Sequence, residues 1–284
     1  MPPRLSPTVR QQRLGIELRK MREHADMTAK AMAAALGTDV AKISQMENGK
    51  AGISTDRLNS WAVSSKCGNT SLIEALTLMT HDRGKRWWHS FRGRVPSGML
   101  DIAELEYHAE SLLVLNTVSI PGLLQTSQYS AAMFSRLRPP LPRHDTEVRT
   151  AFRIQRQQVL TGGTSPFTAF IHEAALRMQF GGPAVLRDQL ASLLHDASRP
   201  GITIRAIPFS LDTYPGSGED LFFAQGPVPE LDTVQIDLTQ GPQFIHAEAE
   251  LDSYRAIIAE SEAIALSPDD SIDFIHRIAT DLEG

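Results

Sequence analysis

The chain has 284 residues, 42% of them hydrophobic and 21% charged, with a formal net charge of −5. That is the composition of an ordinary soluble globular protein with enough length for a sizeable core in one or two domains. One cysteine, Cys67, excludes an internal disulfide framework and a cysteine-built zinc site, and fits a reducing compartment. No apolar run approaches the ~18 residues of a membrane span, and the start "MPPRLSPTVRQQRL" lacks the apolar core of a secretory signal. A cytoplasmic location follows as the expectation.

The charge is unevenly spread. Residues 1–94 carry 16 Lys and Arg against 8 Asp and Glu, a balance of +8; residues 95–284 carry 12 against 25, a balance of −13. All six lysines (Lys20, Lys30, Lys42, Lys50, Lys66, Lys85) lie in the first part. A basic segment joined to an acidic one suits a polyanion-binding part attached to a part with another task. Two solvated surfaces of differing composition would give the same totals.

In chain order, Leu14, Leu18 and Met21 share one face of a helix beginning near Val9. Thr28 is an N-cap for a second helix that turns Met32, Ala33 and Leu36 inward and stops at Gly37. Asp39 caps a third, with Ile43 and Met46 inward, ending at "ENG". Further helices are predicted over 55–64 and 71–79. The stretch "HDRGKRWWHSFRGRVPSG" then breaks the periodicity, so the expected division is a basic helical domain over 1–82, a basic Trp-containing linker over 83–98 and an acidic domain over 99–284. Beyond the linker, helices are predicted near 101–113, 126–137 and 145–160. "TAFIH", "ITIRAIPF", "LFFAQ", "TVQIDL" and "QFIH" are short β-branched or aromatic runs bounded by Gly and Pro, hence strands. A helix with Val185, Leu186, Leu190, Leu193 and Leu194 separates the first two, and helices near 249–265 and 268–282 close the chain. The expected fold is an all-α first domain and an α+β or α/β second domain on a mixed sheet of about five strands.

The chemistry lies in residues 29–48. A helix-turn-helix needs a small residue where its helices approach, and Ala33 is there. It needs a residue tolerant of left-handed geometry four positions on, and Gly37 is there. Apolar residues belong at Met32, Leu36, Ile43 and Met46, and all four match; Thr38 stands where a larger apolar residue usually plugs the turn. "MTAKAMAAALGTDVAKISQMENGK" resembles the Cro/CI-type (XRE) helix-turn-helix domain, whose third helix ends in a hydrophobic residue followed by E-N-G-K. The resemblance implies a structural ion pair between Arg22 and Glu47, and a phosphate contact at Asn48. It also implies that the N-terminal half of the third helix enters the major groove. The outward positions are Val40, Ala41, Lys42, Ser44 and Gln45. Gln45 can pair bidentately with adenine and Lys42 can donate to guanine or phosphate, whereas Val40 and Ala41 offer only methyl contacts. Phage repressors carry glutamine at the first two positions and at Ala29, so recognition here should rest more on backbone contacts and DNA shape. Arg13, Arg19, Lys30, Lys50 and Arg57 are further phosphate candidates.

The remainder has a second resemblance. "RWWH", "IPGLLQTSQYSAAMF", "FIHEAALR" and "ITIRAIPF", in this order, are similar to actinobacterial regulators in which an XRE domain precedes a long domain of unknown function, often described as antitoxin-like. In "IPGLLQT", Pro121-Gly122 is expected to turn, Leu123 and Leu124 to enter a core, and Thr126 to cap a helix; Gln125 and Tyr129 could instead belong to a ligand loop. Trp87 and Trp88 suit either a packed joint or a stacking platform. Tyr214 lies in the acidic Gly/Pro-rich stretch 210–232, a lid, a partner-binding edge or a long hairpin loop. Trp87, Trp88, Gln125, Tyr129 and Tyr214 are therefore the candidates for a ligand or partner site. His172 and Glu173 stand at a strand end, where a capped helix start explains them without catalysis.

The histidines show no H-x₃-H or H-E-x-x-H spacing, and no G-x-G-x-x-G, G-x-x-x-x-G-K-S/T or G-x-S-x-G occurs. No catalytic residue, metal or cofactor is expected. The leading expectation is a homodimeric, antitoxin-like transcriptional regulator that binds an inverted repeat in double-stranded DNA, with an acidic domain that receives a small protein or a small molecule. The alternative is a small-molecule-binding protein or enzyme with an attached DNA-binding module.

Overall fold

The computed structural model describes residues 7–81, 84–161, 165–216 and 218–282. The chain divides into two compact units, Met1–Arg86 with Pro227–Leu231, and Trp87–Gly226 with Asp232–Gly284. The boundary expected between residues 82 and 83 lies outside the described residues. The tryptophan-containing stretch expected as a linker belongs, from Trp87 on, to the second unit.

The first unit is helical: α1 (Val9–His24), α2 (Ala29–Ala35), α3 (Val40–Glu47), α4 (Thr55–Ser64) and α5 (Thr70–His81). The side chains of Thr8, Thr28, Asp39 and Ser54 each accept a hydrogen bond from a backbone N–H in the first turn of α1 to α4, and Thr8 and Gln11 close a full capping box. Such caps satisfy donors that a short helix otherwise leaves open, each worth about 1 kcal/mol. The inward faces meet in a core of Leu18, Met21, Met32, Ala33, Ile43, Met46, Leu58, Trp61 and Leu76. Trp61 is fully buried, and its indole donates to the Leu18 carbonyl at 3.0 Å, so the largest side chain carries no unsatisfied polar atom.

The second unit contains α6 (Ser97–His108), β1 (Ser111–Asn116), α7 (Ser127–Ser135), α8 (Arg143–Arg156), α9 (Gln158–Thr161), β2 (Phe167–His172), α10 (Glu173–Arg177), α11 (Pro183–Ala197), β3 (Ile202–Ile207), β4 (Leu221–Gln225), β5 (Thr233–Leu238), β6 (Gly241–Ile245), α12 (Glu248–Ile264) and α13 (Pro268–Asp281). Its sheet has six strands in the order β3-β2-β1-β4-β5-β6. The β1, β2 and β3 strands run parallel, joined by helical crossovers; β4, β5 and β6 continue from β1 as antiparallel neighbours.

The additional strand is β1, and it is the centre of the sheet. The helix predicted over 101–113 ends at His108 instead, and "SLLVLN" pairs on both edges, with Val114 opposite Ala169 on one side and Phe222 on the other. A strand buried on both faces is a continuous apolar run, which shows neither the alternation of a half-exposed strand nor a helical period.

Alternation becomes visible only in the packing. Val114, Phe222 and Ala224 face a core completed by α11, α13 and the "IPGLL" segment. Leu115, Leu221 and Phe223 face a second core covered by α12. Outside the sheet, the 3₁₀ turn Trp87–Phe91 builds a third cluster with Val95, Ala103, Val148 and Phe152, in which the Trp87 and Phe152 rings lie 5.2 Å apart.

Candidate functional site

In the first unit, Gly37 turns between α2 and α3 at φ +59°, a left-handed conformation that glycine adopts without strain. The α3 helix is then seated by its inner face, with Ile43 and Met46 buried and Glu47 only 4% exposed. Arg22 meets Glu47 in a two-pronged pair, Nε to Oε1 at 2.6 Å and Nη2 to Oε2 at 3.0 Å, and its Nη1 donates to the Met27 carbonyl at 2.8 Å. Hydrogen bonding to Glu47 pushes the Arg22 guanidinium to still higher pKa than usual. The pair ties the end of α3 to the end of α1.

Two glycines complete that junction. A Cβ on Gly15 would lie 2.5 Å from the Glu47 carbonyl oxygen, and one on Gly49, at φ +69°, would lie 2.7 Å from the Gln11 carbonyl oxygen. The two chain segments therefore approach too closely for any side chain at either position. Gly49 is the glycine of the E-N-G-K run, whereas Gly15 lies outside the helix-turn-helix template, and a glycine inside an amphipathic helix is the signal that points to it.

The opposite face of α3 is open. Val40, Ala41, Lys42 and Ser44 are exposed and Gln45 is half-buried. Lys30 and Lys50 are exposed and Arg57 is half-buried. Asn48 is exposed, and its side-chain amide donates to the Ser44 carbonyl at 2.7 Å, closing the C-terminal turn of α3. Arg19 supports Glu47, Nε to Oε2 at 3.3 Å, with 44% of its side chain exposed. Arg13 is placed differently from the phosphate contact expected of it. It is buried, paired with the nearly inaccessible Glu17 carboxylate, Nε to Oε1 at 3.1 Å, and its Nη2 donates to the Glu230 carbonyl.

In the second unit, a cavity of about 620 Å³ opens over the face of the sheet that bears Val114, Phe167 and Phe222. The start of α6, the "IPGLLQ" segment, α7, α8 and the β5–β6 hairpin enclose it. Gly98 permits one wall to close: a Cβ there would lie 2.5 Å from Cγ of Pro242. Arg149, Arg153 and Arg156, one face of α8, line the cavity together. Arg156 is matched to the buried Glu106, with Nε to Oε2 at 2.9 Å and a second bond between Arg156 Nη2 and Glu106 Oε1. Arg153 has a different setting. Its Nη1 donates to the neutral Gln125 Oε1 at 2.7 Å, its guanidinium lies 4.5 Å from the Phe134 ring centre, and its buried Nε meets no acceptor among the described residues. Burial, with a smaller contribution from the like charge of Arg156, lowers its pKa to about 10.

Two family models match. Residues 13–63 match a helix-turn-helix domain, and residues 99–277 match "Domain of unknown function (DUF5753)". The chain belongs to the DUF5753 family. No curated protein and no solved structure matches it.

The ligand candidates that sequence analysis put forward are dispersed within the DUF5753 part of the chain and the stretch just before it. Gln125 lines the cavity. Tyr129 lies in the main core, fully buried, where its hydroxyl accepts from the Ile120 N–H at 3.2 Å and burial pushes its pKa to about 12. Trp87 and Trp88 pack into the aromatic cluster on α8. Tyr214 borders the core under α12, edge-on to the ring of His172. A stacking platform of Trp87 and Trp88 is thus replaced by a packed aromatic core, and only Gln125 among the five faces the cavity.

The "IPGLLQT" segment of the DUF5753 domain is built as its local chemistry predicts. Leu123 and Leu124 are buried, and Thr126 accepts from the Tyr129 N–H. Gln189 on α11 clamps it from below, donating to the Leu124 carbonyl at 2.8 Å and accepting from the Thr126 N–H at 2.7 Å. Gln125 is held by its own bonds to the Ile120 carbonyl and the Ser130 hydroxyl, so it presents a fixed acceptor to Arg153. His172 caps α10, and Glu173 bonds Arg177 and the Phe209 N–H. Both are accounted for by architecture. The arginines at i, i+4 and i+7 of α8 are not among the site residues expected from the sequence, although their spacing on a predicted helix puts them on one face.

Proposed function

We propose that this protein is a sequence-specific transcriptional regulator of the antitoxin-like XRE type, acting in the cytoplasm as a homodimer on an inverted-repeat operator. One observation supports the reading most: α3 is clamped on one face by Arg22 and Glu47 while Val40, Ala41, Lys42 and Ser44 stand open on the other. Gln45 and Lys42 donate to base edges and Val40 and Ala41 contact thymine methyls, while Arg19, Lys30, Asn48, Lys50 and Arg57 serve the phosphates. Two-fold symmetry sets the paired α3 helices about 34 Å apart, one turn of DNA. The acidic second unit receives the signal and performs no catalysis. Its cavity favours a small molecule over a small protein as that signal.

The test is a genome-wide map of DNA bound by the native full-length protein, followed by affinity measurements on the recovered sites at several salt concentrations. A shared inverted-repeat sequence, bound ~10³-fold or more above random DNA, is expected. Binding that follows salt concentration alone, without a preferred sequence, would sink the regulator reading.

A further inference from the structure

We propose that the cavity of the second unit binds a small apolar molecule carrying a single carboxylate, with Arg153 as its principal anchor and Arg149 beside it. The inference gives a chemical class to the signal in the regulator proposed above. It rests on that reading only for its consequence at DNA.

The size and lining suit a small ligand. A cavity of about 620 Å³ is within the roughly 300–1,000 Å³ of ordinary small-molecule sites. Its walls are largely apolar, with Ile102, Met133, Phe134, Phe167 and Phe222 among them. Polar and charged side chains also line it, and most of them are already engaged. Asp220 accepts from the Asn116 amide at 2.9 Å and the Thr117 N–H at 2.6 Å, and Arg156 is used by Glu106. Gln235 donates to Asp237 at 2.8 Å.

Arg153 is the exception. A guanidinium with a neutral acceptor on one nitrogen, an aromatic face beside it and a buried Nε lacking an acceptor is costly to maintain unless an anion completes it. Arg149, one turn earlier on the same face of α8, lines the same wall. The Gln125 acceptor fixes the rotation of the Arg153 fork, which is what planar recognition of a carboxylate requires. Arg153 is the one arginine lining the cavity, among the described residues, whose buried nitrogen meets no acceptor, and a carboxylate, planar and singly charged, fits one such fork.

The experiment uses the full-length protein without DNA, so its failure is separable from failure of DNA recognition. Octanoate, octyl phosphate and neutral 1-octanol are titrated by calorimetry at pH 7. Octanoate is expected to bind at least ten-fold more tightly than either of the others. Arg153→Met, which keeps the length and apolar stem, is expected to remove that preference and leave octanoate no better than 1-octanol. Equal binding of octanoate and 1-octanol by the unaltered protein, preference for the phosphate, or no binding of octanoate would each overturn the proposal. So would an octanoate preference that survives in Arg153→Met. The measurement on the unaltered protein decides the matter even if the variant does not fold.

Discussion

Arg22 in the first unit is buried and Arg153 in the second is half-buried with a buried Nε, and the two arginines have opposite company. In the first unit Arg22 is gripped by a carboxylate with both oxygens engaged, and a backbone carbonyl takes a third donor. In the second, Arg153 has a glutamine oxygen and an aromatic ring, and one buried donor remains over. A charge whose partners are complete is architecture: it fixes where α3 lies and has nothing left to offer a ligand. A charge whose partners are incomplete holds the geometry of a site whose last component comes from outside. The same residue type on the same kind of helix therefore has different meanings, and only its neighbours tell them apart.

The largest effect should come from breaking the complete pair. Glu47→Ala removes the buried carboxylate of Arg22 and leaves it only the exposed Glu23, and is expected to destabilise the first unit by about 3 kcal/mol or more, read by denaturant unfolding. A loss near zero would mean that the pair is not the clamp described. Next comes Gly15→Ala, whose new methyl must displace the end of α3; about 1–3 kcal/mol of stability should be lost, together with affinity for every DNA site. Gln45→Ala acts on recognition alone. It should weaken a specific operator by about 1–3 kcal/mol while sparing random DNA, and equal weakening of both would make Gln45 a phosphate ligand.

The smallest change is expected from Arg153→Met. Because the pKa of Arg153 is lowered in the folded chain to about 10, its charge costs stability at every pH below that value. The cost is relieved as pH rises from about 10 toward the ordinary arginine range, where the unfolded chain holds the proton that the folded one has lost. Arg153→Met should therefore match or exceed the unaltered protein by about 1 kcal/mol at pH 7, and the gap should narrow in strongly alkaline solution. A variant clearly less stable at pH 7 would show that Arg153 is structural after all, and the contrast with Arg22 would collapse.

Much of the first unit was legible because its determinants are local. Thr28 and Asp39 cap within three residues, Gly37 turns in place, and Ile43 and Met46 stand one turn apart on α3. The Arg22–Glu47 pair was available only through the family resemblance, since nothing local distinguishes Glu47 from a solvated glutamate. Arg13 went the other way: an arginine in a basic domain looks like a phosphate ligand until Glu17 is seen to be buried beside it. In the second unit, β1 was hidden because a central strand has no polar face to set its period. The cavity was hidden because its walls come from α6, the "IPGLLQ" segment, α7, α8 and the β5–β6 hairpin, scattered over more than half of the domain.

The division into a basic helical part and an acidic mixed part, the capped helices, the helix-turn-helix and its outward residues can all be read along the chain. Those depend on contacts within a few positions of one another and on charge summed along the chain. Which strand is central, which arginines are matched and which one faces a cavity with a donor to spare depend on packing in space. Burial and pairing are properties of neighbours in space, and hydrophobic periodicity carries no record of which neighbour a charge will meet.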